Sequence, residues 1–298
     1  MKKLITILIT ALLGTGCTND LKTGDTKIEQ KNTPVLKKIT GLKTPESVVQ
    51  AKDGRIFVSE IGEFGKDGDG QITLIESSGK ATIFASGLDD PKGLAMIDNH
   101  LYVADKTKVI KFTPEGKASV FVAAAAFPSV PQFLNDLEAD LQGNLYVSDS
   151  GDIMGTGKGG AIYKIDATGK VTLLIDGKQD ARVMAPNGLL ADDTGDTLIY
   201  VDFTSGILYT YNQKTKVLTD IAEGFGGGDG IVHHSNGTMF VSDWKSGKVY
   251  SVNTKGDVAL FKGDYQSAAD IAITKDEAYL MVPDMKAGEL DFIPLVSK

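Results

Sequence analysis

Six side chains of this 298-residue sequence stand at matching places: Glu46, Lys92, Asn135, Asn187, Asp229 and Asp270, at intervals of 46, 43, 52, 42 and 41 residues. Brought together, three carboxylates and two amides offer oxygen donors only. Such a set repels itself or holds protons unless a cation neutralises it, and it suits a hard ion such as calcium better than zinc. The lysine opens other chemistry. Its ammonium could bind a substrate carboxylate or stabilise an oxyanion, or it could serve as internal counter-ion for Asp270 or Glu46 and displace the metal.

The stretches holding these residues explain how they could meet. "PESVVQAKDGRIFVSE", "PKGLAMIDNHLYVAD", "LNDLEADLQGNLYVSD", "PNGLLADDTGDTLIYVD", "GDGIVHHSNGTMFVSD" and "ADIAITKDEAYLMVPD" each pair two apolar runs across a turn and close on an acid. Two further strand-like runs follow each closing acid, as in "QITLIE" and "ATIFAS". Four short strands repeated six times predict an all-β, six-bladed β-propeller. The sixth repeat ends after three strands, and "TPVLKKITG" at 33–41 is left over at the start. That strand is expected to complete the last blade, so that no sheet edge stays open. The first strand of each blade lines the axis, which turns the six residues into one inward fan.

On "PES", "LND", "PNGL" and "GDG" the chain resembles the senescence-marker-protein, gluconolactonase and luciferin-regenerating-enzyme family, and more distantly diisopropyl fluorophosphatase and paraoxonase. The resemblance implies a divalent metal held by Glu46, Asn135, Asn187 and Asp229, calcium by the donor type. It implies a hydrolase, typically a lactonase, in which the metal polarises a carbonyl or phosphoryl oxygen and Asp229 acts as general base or nucleophile. Sugar lactonases of the family often carry arginine two residues before the first asparagine. Here that residue is Phe133, which favours a small uncharged or apolar ester-like or lactone-like ligand. With Phe133, the residues Lys92, Asp270 and Trp244 are the expected substrate contacts. The alternative is a non-catalytic propeller presenting its fan face to a ligand or partner protein.

Other acids and histidines carry less. The closing acids Glu60, Asp105, Asp149, Asp202, Asp243 and Asp284 recur in every blade and are expected to bond backbone or neighbouring strands. His100, His233 and His234 fall in turns on the face away from the fan. The long connections 61–70, 122–134 and 150–160 gather on the fan face, where the last two are candidate lids. "GKDGDGQITLIE" at 65–76 mimics an EF-hand loop, but about seven strand residues carry Glu76 roughly 23 Å away from Asp67 and Asp69. A looser calcium site from Glu63, Asp67 and Asp69 stays open beside a plain polar turn.

The amino terminus addresses the chain. Two lysines, an apolar run from Leu4 to Leu13 and "GTGC" read as a lipoprotein signal over 1–16, with lipid on Cys17, the single cysteine. Gly14 stands where such signals more often carry leucine. Residues 17–31 read as lipidated cysteine and tether, and 32–298 as the propeller. Export to the cell envelope follows, on the periplasmic face, with Thr18 favouring the outer membrane. The net charge of −8 becomes −10 without Lys2 and Lys3. An acidic domain of this kind is not expected to bind nucleic acid, nor membrane except through its anchor. A monomer is expected.

Overall fold

A computed structural model describes residues 38–295. The signal, Cys17 and the tether lie outside the described residues. Strand β1 spans Ile39–Thr40. Blade one follows with β2 Pro45–Gln50, β3 Ile56–Glu60, β4 Gly70–Ile75 and β5 Ala81–Leu88. Blade two has β6 Pro91–Ile97, β7 His100–Asp105, β8 Lys108–Phe112 and β9 Ala118–Val122. Blade three has β10 Leu134–Ala139, β11 Leu145–Asp149, β12 Ala161–Ile165 and β13 Val171–Asp176. Blade four has β14 Pro186–Ala191, β15 Thr197–Asp202, β16 Ile207–Asn212 and β17 Val217–Glu223. Blade five has β18 Gly228–His233, β19 Met239–Asp243, β20 Lys248–Val252 and β21 Val258–Lys262. Blade six has β22 Ala272–Ile273, β23 Tyr279–Asp284 and β24 Glu289–Pro294, and β1 pairs with β24 as its fourth strand. The six antiparallel sheets form the expected six-bladed β-propeller, closed by the N-terminal strand.

Burial falls from the axis outward. The second strands are mostly buried, Ile56–Glu60 throughout, while outer strands such as β9 and β21 are mostly exposed. The core lies between neighbouring blades, where β-branched and aromatic side chains interleave. Tyr146 of blade three, for example, packs with Leu189 and Tyr200 of blade four. The closing acids hold each blade's innermost corner. Asp202 accepts the backbone N–H groups of Met184, Ala185, Thr204 and Ser205 at 2.8–3.0 Å. Asp105 accepts those of Asp89 and Asp90, and Asp284 those of Gln266 and Ser267. Loop amides leading into the first strand, which would otherwise be buried without partners, are satisfied by these carboxylates. Among the described residues no helix is long and apolar enough to cross a membrane. The one helical element among them is the 3-10 turn Ala124–Ala126.

Candidate functional site

A register shift in each first strand aims the fan. Pro45 pairs with Glu60 but Val48 with Val58, so β2 carries one extra residue between them, and β6, β10, β14 and β18 repeat the irregularity. A bulge of this kind turns a side chain out of the sheet's alternation. Here it holds Glu46, Lys92, Asn135, Asn187 and Asp229, each 2–4% exposed, at the floor of one cavity. The residue after the fan position is Gly93, Gly188 or Gly230 in blades two, four and five. A Cβ at Gly188 would lie 2.1 Å from the Asp229 carbonyl oxygen, and at Gly93 2.5 Å from backbone of blade three. Glycine at these positions lets adjacent first strands touch, and that contact draws the fan together.

The same register corrects one expectation. In blade six the closing Asp284 bridges Ala268, and Ala272 pairs with Met281. The sixth fan position is therefore Ala269, and Asp270 lies one residue deeper. Its carboxylate accepts the Ser47 hydroxyl at 2.5 Å, and it is not among the residues that line the cavity. Asp270 thus matches Ser47, Gly93, Asp136, Gly188 and Gly230, and the sequence alignment had placed it one residue out.

Three oxygens on the cavity floor lack a partner. Of the six buried side-chain polar atoms without a hydrogen bond among the described residues, three are Glu46 Oε2, Asn135 Oδ1 and Asp229 Oδ1. Asn135 Nδ2 donates to Ser150 Oγ at 3.1 Å, which turns the amide oxygen toward the fan. Burial pushes the Glu46 carboxyl well up, reinforced by Asp229 and opposed by Lys92. Burial likewise raises Asp229, helped by Asp136 and opposed by the Asn187 amide. Two carboxyls and one amide with unpartnered oxygens, with the Asn187 amide on the same cavity floor, suit a hard cation. Among the described residues no three His, Cys, Asp or Glu side chains gather at ligand spacing, because half of this donor set is asparagine.

Lys92 is not a direct counter-ion. It is 2% exposed, donates to the Asp90 carbonyl at 3.1 Å and lies 4.2 Å from the centre of the Phe133 ring, with no carboxylate within 4.0 Å among the described residues. Burial lowers its pKa, with Asp90 and Glu46 acting the other way. Phe133, standing where an arginine is common, thus forms the wall against which the ammonium rests.

The cavity above the fan has a volume of about 1020 Å³. One wall runs through Ile61, Phe203, Trp244 and Met285, the residues that directly follow the closing acids of blades one, four, five and six. Trp244 Nε1 donates to Met285 Sδ at 3.1 Å, and the Phe203 and Trp244 rings lie 6.3 Å apart. Of this wall only Trp244 was anticipated. The signal for the rest was its recurrence immediately after each closing acid. Asp136 and Glu138, beneath the fan, were also missed. Asp136 accepts the amides of Leu137 and Leu189, each at 2.6 Å, and burial raises it to about 6. Burial beside Asp136 takes Glu138 to about 8. A carboxylate standing where three other blades have glycine was the clue to Asp136.

The loops divide differently from expectation. Ile153 and Met154 from 150–160 line the cavity, as do Gly62, Glu63, Phe64 and Asp69 from 61–70. Segment 122–134 contributes only Phe133 to it, while Phe127 is buried against Tyr163 in the core between blades. In the EF-hand mimic Asp67 pairs with Lys106 at 2.5 Å and Asp69 with Lys66 at 3.5 Å, while Glu76 lies in the turn beyond the far end of β4, away from both. The three histidines are not among the cavity residues.

Solved propellers share this fold. A gluconolactonase from Xanthomonas campestris matches with a TM-score of 0.71 at 14% identity, over 87% of this chain and 89% of its own. The calcium-binding protein regucalcin from Agrobacterium tumefaciens matches at 0.68 and 19%, over 86% and 90%. Virginiamycin B lyase from Staphylococcus aureus matches at 0.59 and 13%, over 84% and 80%. At these identities the likeness carries the fold alone. No curated protein matches the sequence. The family model described as the SMP-30/Gluconolactonase/LRE-like region matches residues 92–262, more than half of the chain, and the protein belongs to that family.

Proposed function

We propose that the protein is a metal-dependent hydrolase of the lactonase or esterase type, acting on a carbonyl compound with an apolar body. The observation that carries the reading is the trio of unpartnered oxygens on Glu46, Asn135 and Asp229 at the floor of a large, apolar-walled cavity. With Asn187 these residues would hold one divalent cation, calcium by their chemistry, which would supply a Lewis acid for the substrate carbonyl oxygen. Asp229 is the base or nucleophile. As base, it takes a proton from the attacking water and returns it to the leaving alkoxide oxygen. Lys92, with ammonium hydrogens left over from its bond to Asp90, favours negative charge building on the carbonyl oxygen. Phe203, Trp244 and Met285 bind the apolar part and keep bulk water away. An envelope location through a lipidated Cys17, with its periplasmic and outer-membrane preference, belongs to the same proposal and rests on the amino-terminal sequence.

Calorimetric titration of calcium into the chelator-stripped full chain, followed by a screen of lactones and aryl esters, tests this. One site lost in Asn187→Ala, with turnover abolished in Asp229→Asn, is the expected result. Calcium binding without turnover of any lactone or ester would favour a non-catalytic binding propeller. No calcium binding would overturn the metal assignment.

A further inference from the structure

The cavity rim is divided by charge. Beside the acids of loop 61–70 the lysines are paired: Lys66 lies 3.5 Å from Glu63 and Asp69, both of which line the cavity, and Lys106 lies 2.5 Å from Asp67. Lys43, Lys245 and Lys286 line the cavity itself and are exposed, and none has a carboxylate within 4.0 Å among the described residues. This is notable in a chain with 39 acidic against 31 basic residues.

Two of these lysines are placed by a repeated contact. Lys245 of blade five lies 4.3 Å from the Phe203 ring of blade four, and Lys286 of blade six lies 4.1 Å from the Trp244 ring of blade five. Each ammonium reaches back over the aromatic side chain of the preceding blade. Ring and cation together hold the charge at the top of the apolar wall, where a free lysine would sweep through solvent.

We propose that Lys245 and Lys286, with Lys43 beside them, form an anion subsite, so that the substrate is an amphiphilic ester or lactone. Its carboxylate meets the rim lysines, its apolar body lies along Trp244, Phe203 and Met285, and its reacting carbonyl reaches the fan. The carbonyl end of this assignment rests on the hydrolase reading. The anion subsite rests on the rim alone. Glu63 and Asp69 share the single ammonium of Lys66, so that side of the mouth keeps a net negative charge, which disfavours the carboxylate there and sets one orientation.

The test compares phenyl monoesters of straight-chain dicarboxylic acids with their neutral phenyl methyl diesters, using the calcium-loaded full chain. The wild type is expected to favour the anionic member in kcat/KM by about tenfold at low salt. The ratio should fall toward one in Lys245→Met/Lys286→Met, and below one in Lys245→Glu/Lys286→Glu. A wild-type ratio of one, or an unchanged ratio in the Met variant, overturns the subsite and leaves the hydrolase reading standing. If neither ester is cleaved, the hydrolase reading fails and binding decides the subsite. Trp244 is the only tryptophan, so its fluorescence reports occupancy of the wall directly. Saturable binding of 6-phenylhexanoate, weakened about tenfold in the Met variant and absent for 6-phenylhexanol, supports the subsite. Equal binding of acid and alcohol, equal affinity in the variant, or no saturable change overturns it.

Discussion

Asp229 and Glu46 are carboxyls buried with a face of each left bare, and the consequence is a competition between protons and a cation. Their folded pKa values are raised, so the folded, cation-free protein binds more protons than the unfolded chain, whose reference values are 3.8 and 4.5. Stability then falls as pH rises above those unfolded values, because each buried carboxyl must ionise. Asp136, at about 6, and Glu138, at about 8, extend the decline through neutrality. Thermal unfolding in chelator is therefore expected to show a lower Tm at pH 8 than at pH 5.5. Calcium should restore stability more at pH 8, releasing protons as it binds. A chelated protein with equal Tm at both values would contradict this. Asp229→Asn keeps the shape and removes the charge. It is expected to lower kcat at least a hundredfold, the scale of losing an acid–base group, with Tm in chelator unchanged or raised. Steady-state kinetics and calorimetric scanning of the one variant check both halves.

At the scale of the strand, the closing acids matter through the amides they satisfy. Asp202→Ala strands four backbone N–H groups at a buried corner and should cost about 3 kcal/mol, whereas Asp193→Ala on an exposed turn should cost under about 0.5 kcal/mol. Urea unfolding of the pair measures the difference. Gly188→Ala forces a methyl against the Asp229 carbonyl oxygen and is expected to loosen the site, read as weaker calcium affinity. Blade count and closure were legible because turn residues and β-branched runs recur at near-equal intervals, and five fan residues followed from that period. Asp270 was misplaced because a one-residue difference in turn length between blades is invisible until a partner strand fixes the register: Ile271 stands 11 residues before Val282, Val48 ten before Val58. Of the Phe203–Trp244–Met285 wall only Trp244 was expected, and the rest of that wall was missed for another reason. Its members share no residue type, only a place after each closing acid, and position without chemistry leaves little trace in a single sequence.

Over the whole ring, the pairing of β1 with β24 covers an edge that blade six would otherwise expose. Ile39 also packs on the cluster containing Val48 and Met281. Removing residues 1–41 should lower Tm by about 5 °C, equivalent to about 2 kcal/mol in a chain of this size, and promote self-association visible by light scattering. An unchanged Tm in that truncation would mean that three strands suffice for the last blade. The clasp also orders events in time. The ribosome makes β1 before the other strands of the propeller and β24 after them, so β1 waits for its partner until the rest of the ring has been made. Glu46 comes from blade one and Asp229 from blade five, so the donor set of the fan is split across nascent chain until the circle shuts. A chain that stops after blade five would therefore carry every proposed cation-binding residue and still lack a closed pocket for the ion, so metal uptake would report that the ring has shut.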